Sequence, residues 1–144
     1  MERACYHSLP LGTSFAVGFR GHLSSLLERT PAARGAVFCD YEGEFIELVI
    51  RDPQPSGCAQ LSDYEMKIFG AQLAATWLNL HTGASERGAG GVVELKLACD
   101  GGTLLCRGLP DGYYLTLLLA HGTATGPAAF ELRQTAVLVG RELT

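Results

Sequence analysis

The sequence predicts an α+β fold: a five-stranded antiparallel sheet with helices on both faces. Three observations carry that prediction. First, three apolar, β-prone runs follow one another late in the chain, VVELKLAC, TLLCRGL and YYLTLLLA. Second, Asp100-Gly101-Gly102 and Pro110-Asp111-Gly112 separate them. Glycine takes positive φ without strain and aspartate tolerates it, so both are hairpin signals. A meander of adjacent strands is antiparallel. Third, segments with helical spacing precede, interrupt and follow the strands, which gives the order α-β-β-α-β-β-β-α. At 144 residues one domain is the default, and such a chain buries about two thirds of its unfolded surface.

Residues 1–13 read as an N-terminal arm and residues 14–144 as the domain. In TSFAVGFRGHLSSLLER, Thr13 or Ser14 can cap a helix. Phe15, Phe19, Leu23 and Leu26 recur at its spacing. Gly18 and Gly21 weaken its first turns. Thr30-Pro31 stops it, because a residue before proline is pushed out of the helical region. GAVFCD and EFIELVIRD then form a hairpin about Tyr41-Glu42-Gly43. Phe45, Glu47 and Val49 point one way along the second strand; Ile46, Leu48 and Ile50 point the other. RDPQPSGCAQLS, with two prolines and a glycine, is a loop.

The central helix, DYEMKIFGAQLAATWLNLH, is capped by Ser62 or Asp63, and Gly83 is placed to end it. At about 100° per residue it has two apolar sides. Met66, Phe69, Leu73, Trp77 and Leu80 lie on one. Tyr64, Ile68, Ala71, Ala75 and Leu78 lie nearly opposite. If the first and last helices share one face of the sheet, this helix covers the other alone. Its bulkier stripe then packs on the sheet, and the second stripe faces outward. Monomers seldom expose such a patch. Ala71 and Ala75 let another helix approach closely, so a two-fold contact with a second copy is expected. ASERGAGG is a flexible connector. In GPAAFELRQTAVLVGREL, Pro127 opens a last helix that buries Ala129, Leu132, Ala136, Val139 and Leu143.

The remaining residues exclude more chemistry than they suggest. Net charge is −4 and the 11 Lys and Arg are scattered, so nucleic acid and anionic membrane are poor partners. Five cysteines without framework spacing, and no secretory signal in MERACYHSLPLG, predict reduced thiols and a cytoplasmic protein. The longest apolar run, LTLLLA, is too short to span a bilayer. GASERGAGG follows a helix and lacks the lysine of a phosphate-binding loop. Cys5 and His7 have no second pair to complete a zinc site. Cys99 and Cys106 flank a hairpin diagonally and read as small hydrophobes. His22, His81 and His121 have no local acid partner, and His81 sits near a helix C-terminus, which explains it. Glu42, Glu44 and Glu47 read as a solvated rim, and Arg34 and Arg107 as surface arginines. No catalytic, cofactor or metal site is therefore expected in the isolated chain.

From Ser14 to Leu143 the sequence resembles the Roadblock family, that of dynein light chains and of bacterial mutual-gliding (MglB-type) regulators. RGAVFCDYEGEFI matches that family's first hairpin in kind, and VVELKLACDGGTLLCRGLPDGYYLTLLL its three-strand meander. The resemblance implies a homodimer with a continuous ten-stranded sheet. The strand from Val92 to Cys99 would pair with its copy, and the central helices would lie side by side. The interface would then include Tyr64, Ile68, Ala71, Ala75 and Leu78, with Val92, Val93, Glu94, Leu95, Lys96 and Leu97. Bacterial members bind a small Ras-like GTPase as activators or adaptors, which makes such a GTPase the implied partner. The alternatives are a ligand-sensing domain that encloses a small metabolite and a thiol enzyme; the latter needs an activated cysteine that the sequence does not display.

Overall fold

A computed structural model describes residues 18–143. The elements follow the expected order: α1 (Gly18–Arg29), β1 (Ala33–Cys39), β2 (Phe45–Ile50), α2 (Asp63–Glu86), β3 (Glu94–Cys99), β4 (Gly102–Gly108), β5 (Tyr114–Ala120) and α3 (Thr125–Leu143). The five strands form one antiparallel sheet in the order β2-β1-β5-β4-β3. Each hairpin arises from local chemistry. Asp40 turns β1 into β2, its Oδ1 accepting from the backbone N–H of Glu42 and Glu44 at 2.9 and 3.1 Å. Between β4 and β5, Asp111 (φ 63°) and Gly112 (φ 84°) take the left-handed conformation for which Asp-Gly is suited.

The two faces are filled separately. Leu23, Leu26 and Leu27 of α1 and Leu132, Ala136 and Val139 of α3 pack with Ala36, Phe38, Leu105, Leu115, Leu117 and Leu119. On the other face α2 stands alone. Its Met66, Leu73 and Ala74, with Phe69 and Trp77 alongside, meet Val37, Leu48, Leu104, Cys106, Tyr114 and Leu118. Alternation along each strand sends neighbours to opposite layers, as Leu104 and Leu105 show. Trp77 stacks on Tyr114 at 6.0 Å between centroids. Gly70 lets α2 settle on β1: a Cβ there would lie 2.6 Å from Cys39 Sγ, and the Tyr114 hydroxyl donates to the Gly70 carbonyl at 2.9 Å.

The structure corrects several expectations. The described residues open with α1 at Gly18, whose φ is +74°. Thr13, Ser14 and Phe15, like the arm 1–13, lie outside the described residues. Gly83 does not end α2. The helix continues through Ala84, Ser85 and Glu86 and closes at Gly88 (φ 84°), with Ala89 N–H donating to the Ala84 carbonyl at 2.8 Å and Gly88 N–H to that of Ser85 at 3.3 Å. This paired pattern needs a left-handed residue just past the helix, which Gly88 supplies. Val92 and Val93 precede β3 rather than open it. Leu80, assigned to the sheet-facing stripe, is 46% exposed and joins neither core layer. The helix outruns the sheet that its first half covers.

Candidate interaction surface

The start of α2 is held by reciprocal capping. Ser62 Oγ accepts from Glu65 N–H at 3.0 Å, and Glu65 Oε1 accepts from Ser62 N–H at 2.8 Å. The Ser62 backbone N–H, with the Ser62 hydroxyl, holds the Glu65 carboxyl below its ordinary range. Two orphan donors of the first turn are thus satisfied. Packing of Met66, Leu73 and Ala74 on the sheet fixes which residues of the helix face outward. Tyr64 is 71% and Leu78 62% exposed; Ile68, Ala71 and Ala75 are exposed between them. An open groove of about 460 Å³ bordered by Leu61, Tyr64, Ile68 and Phe69 continues this stripe toward the loop before the helix.

At the other end of the same face, β3 is an edge strand that pairs only with β4. Leu95 faces α2 and packs against its layer. Leu97, on the same side of the strand, is 46% exposed, and Val93 before the strand is exposed too. Glu94 and Lys96 alternate to the α3 side. Lys96 Nζ donates to Thr125 Oγ1 at 3.1 Å. The segment joining α2 to β3 is tied down at Val92, whose N–H donates to His81 Nδ1 at 3.1 Å. His81 therefore serves as an acceptor within the connection and lies five residues before the end of its helix, not at the terminus. An unpaired strand edge beside an exposed apolar stripe is a surface that another chain can extend.

Side chains considered for chemistry are used for structure. Arg34 Nε donates to Gln54 Oε1 at 2.7 Å and its Nη2 to the Ala59 carbonyl at 2.8 Å. His22 has an acid partner far along the chain: its Nε2 lies 2.7 Å from Glu142 Oε2. Arg107 Nη1 donates to Glu94 Oε1 at 2.8 Å, and Arg133 grips the same carboxylate through Nε and Nη2, each at 2.9 Å. The Arg133 hydrogen bond, with that from Arg107, holds the Glu94 carboxyl below its ordinary range. These partnerships span 120, 13 and 39 positions, beyond any local pattern. The described cysteines are free thiols, and Cys106 lies opposite Leu95, with Cys99 opposite Gly102. Among the described residues no cluster of His, Cys, Asp or Glu is placed to hold a metal. None of their helices is long and apolar enough to cross a membrane. Cys5 and His7 lie outside them.

No protein-family model and no curated protein matches the sequence. Solved structures do match the fold. MglB of Myxococcus xanthus superposes with a TM-score of 0.73 at 10% identity, covering 90% of this chain and 98% of that one. A Roadblock/LC7 domain from Streptomyces avermitilis gives 0.70 at 17% identity, covering 85% and 94%. The gliding protein MglB of Thermus thermophilus gives 0.71 at 14% identity, covering 85% and 86%. At such identities the likeness is one of fold, and the chain has a Roadblock-like fold of the MglB type.

Proposed function

We propose that this chain is a homodimeric interaction module, residues 14–144 with a preceding arm, that regulates or scaffolds a small Ras-like GTPase in the bacterial cytoplasm without catalysis of its own. One observation carries the reading. The outer stripe Tyr64, Ile68, Ala71, Ala75 and Leu78 stands exposed on α2, on the side of the sheet where Leu97 marks the unpaired edge of β3. A two-fold axis beside that edge would pair β3 with its copy and bring the two α2 helices together, covering both features in one contact. The Roadblock-like fold agrees with this assembly, and the GTPase enters through that likeness. Sedimentation at micromolar concentration tests the first step: a species near twice 15.3 kDa is expected, and a monomer throughout that range would overturn the dimer. Capture from the native cytosol with and without GTP tests the second. A small GTPase retained in a nucleotide-dependent way is expected. Its absence under both conditions would overturn the regulatory role.

A further inference from the structure

The opposite face of the molecule carries a second surface. The helix α3 buries one side against α1 and the sheet, but its outer side is not uniformly polar. Phe130, Val137 and Leu138 stand exposed there, at a spacing that places them along one flank. Beside them, an open groove of about 370 Å³ runs between α3 and the β4–β5 connection. Its apolar walls include Val137, Leu109 and Pro110, and the guanidinium groups of Arg107, Arg133 and Arg141 line it. Three of the 11 Lys and Arg of a chain with net charge −4 thus gather at one groove.

One carboxylate, Glu94, answers part of the charge of Arg107 and Arg133. A guanidinium offers five N–H donors. Glu94 engages Nη1 of Arg107, and Nε and Nη2 of Arg133. Arg107 Nε and Nη2, and Arg133 Nη1, donate to no described residue. Asp111 sits on the neighbouring turn but does not line the groove. The site therefore holds open guanidinium donors, which bind carboxylates by charge-assisted hydrogen bonds, next to apolar surface.

We propose that this groove docks an acidic amphipathic segment of a protein partner, with its carboxylates on Arg107 and Arg133 and its apolar residues on Val137 and the Leu109–Pro110 wall. Charge selects this occupant. A second copy meeting the groove about a two-fold axis would set arginine against arginine. A nucleic acid calls for a longer cationic track without apolar walls. The groove lies on the face of the sheet opposite α2.

The test is fluorescence anisotropy of the full chain with a labelled helical peptide of about four turns that has leucine on one face and glutamate elsewhere. The matched leucine–lysine peptide is the control. Saturable binding of the glutamate peptide alone is expected, weakening as salt rises. Arg107→Glu and Arg133→Glu should each weaken it at least about tenfold. Val137→Asp, at an exposed position, should weaken it as well and keeps the test decisive if Arg133→Glu fails to fold. Arg87→Glu, at the far end of α2, should leave it unchanged. The proposal is overturned if both peptides bind alike, if neither binds, or if the groove variants retain full affinity.

Discussion

At Gly102 the sheet has no room for a side chain. A Cβ there would sit 2.4 Å from the Leu119 carbonyl oxygen on β5, and a backbone atom in a paired strand cannot swing aside. Gly102→Ala is therefore expected to destabilise the fold by about 1–3 kcal/mol, read as a lower urea midpoint with an unchanged slope. The thiols differ for a related reason. Burial, with smaller contributions from Cys106, Asp40 and Glu44, pushes Cys39 up to about 12; burial pushes Cys106 to about 12 as well. Cys99 is exposed and Cys58 partly so. In a Cys5→Ser background, Ellman's reagent at pH 8 should modify Cys99 and Cys58 in the native protein, with Cys39 and Cys106 reacting only on unfolding. Fast native reaction at either buried thiol would show that this layer opens. Little of this was legible in the sequence. Asp100-Gly101-Gly102 announced a turn, but the close approach of Leu119 depends on register across two strands.

Among the elements, α2 was the most legible, because its two stripes follow from spacing alone and four of the five inward assignments hold. Leu80 failed because a wheel records direction around an axis, not where the underlying sheet stops. The stripes should respond differently to substitution. Leu73 is 4% exposed, so Leu73→Ala should cost about 2–5 kcal/mol of folding stability. Ala75 is exposed, so Ala75→Glu should leave the protomer's circular dichroism native-like while weakening the proposed dimer, where an unpaired carboxylate would be desolvated. Unfolding of that variant on dissociation would mark the dimer as obligate. A dimer of unchanged affinity would place the axis elsewhere. Where β3, β4 and α3 meet, Glu94 predicts a pH dependence. Its folded pKa is depressed from the ordinary 4.5, so its contribution is present above that value and is lost as pH falls below it. The contribution is on the order of 1 kcal/mol or less, since both arginine partners are partly solvated. Urea midpoints at pH 6 and pH 3.5 should differ more for the native chain than for Glu94→Gln; equal differences would remove the linkage.

For the whole molecule, the element order and the division of helices between faces were readable, because hairpin turns and helix spacing are local signals. The outer side of α3 was missed. Phe130, Val137 and Leu138 were overshadowed by the stronger stripe on its inner side, and the arginine groove exists only once Glu94 and Arg107 pair across β3 and β4. The two surfaces lie on opposite faces of one sheet. A partner at α2 and another at the groove can therefore be held together without competing for the same residues.

The strand order also bears on how the chain is made. The middle strand of the sheet is β5, and β1 has no neighbour on its inner side until β5 arrives. Ala36 pairs with Leu117, so the first hairpin gains its inner neighbour only once most of the polypeptide has been synthesised. Pairing across so long an interval is slow to close. Until then α2 has only β1 and β2 to pack on, without the Leu104, Cys106, Tyr114 and Leu118 side of its layer. A nascent chain stalled just after β4 should remain protease-sensitive, and one extended past α3 should become resistant. Protection already present at the shorter length would mean that the β1–β2 hairpin and α2 form a stable unit by themselves.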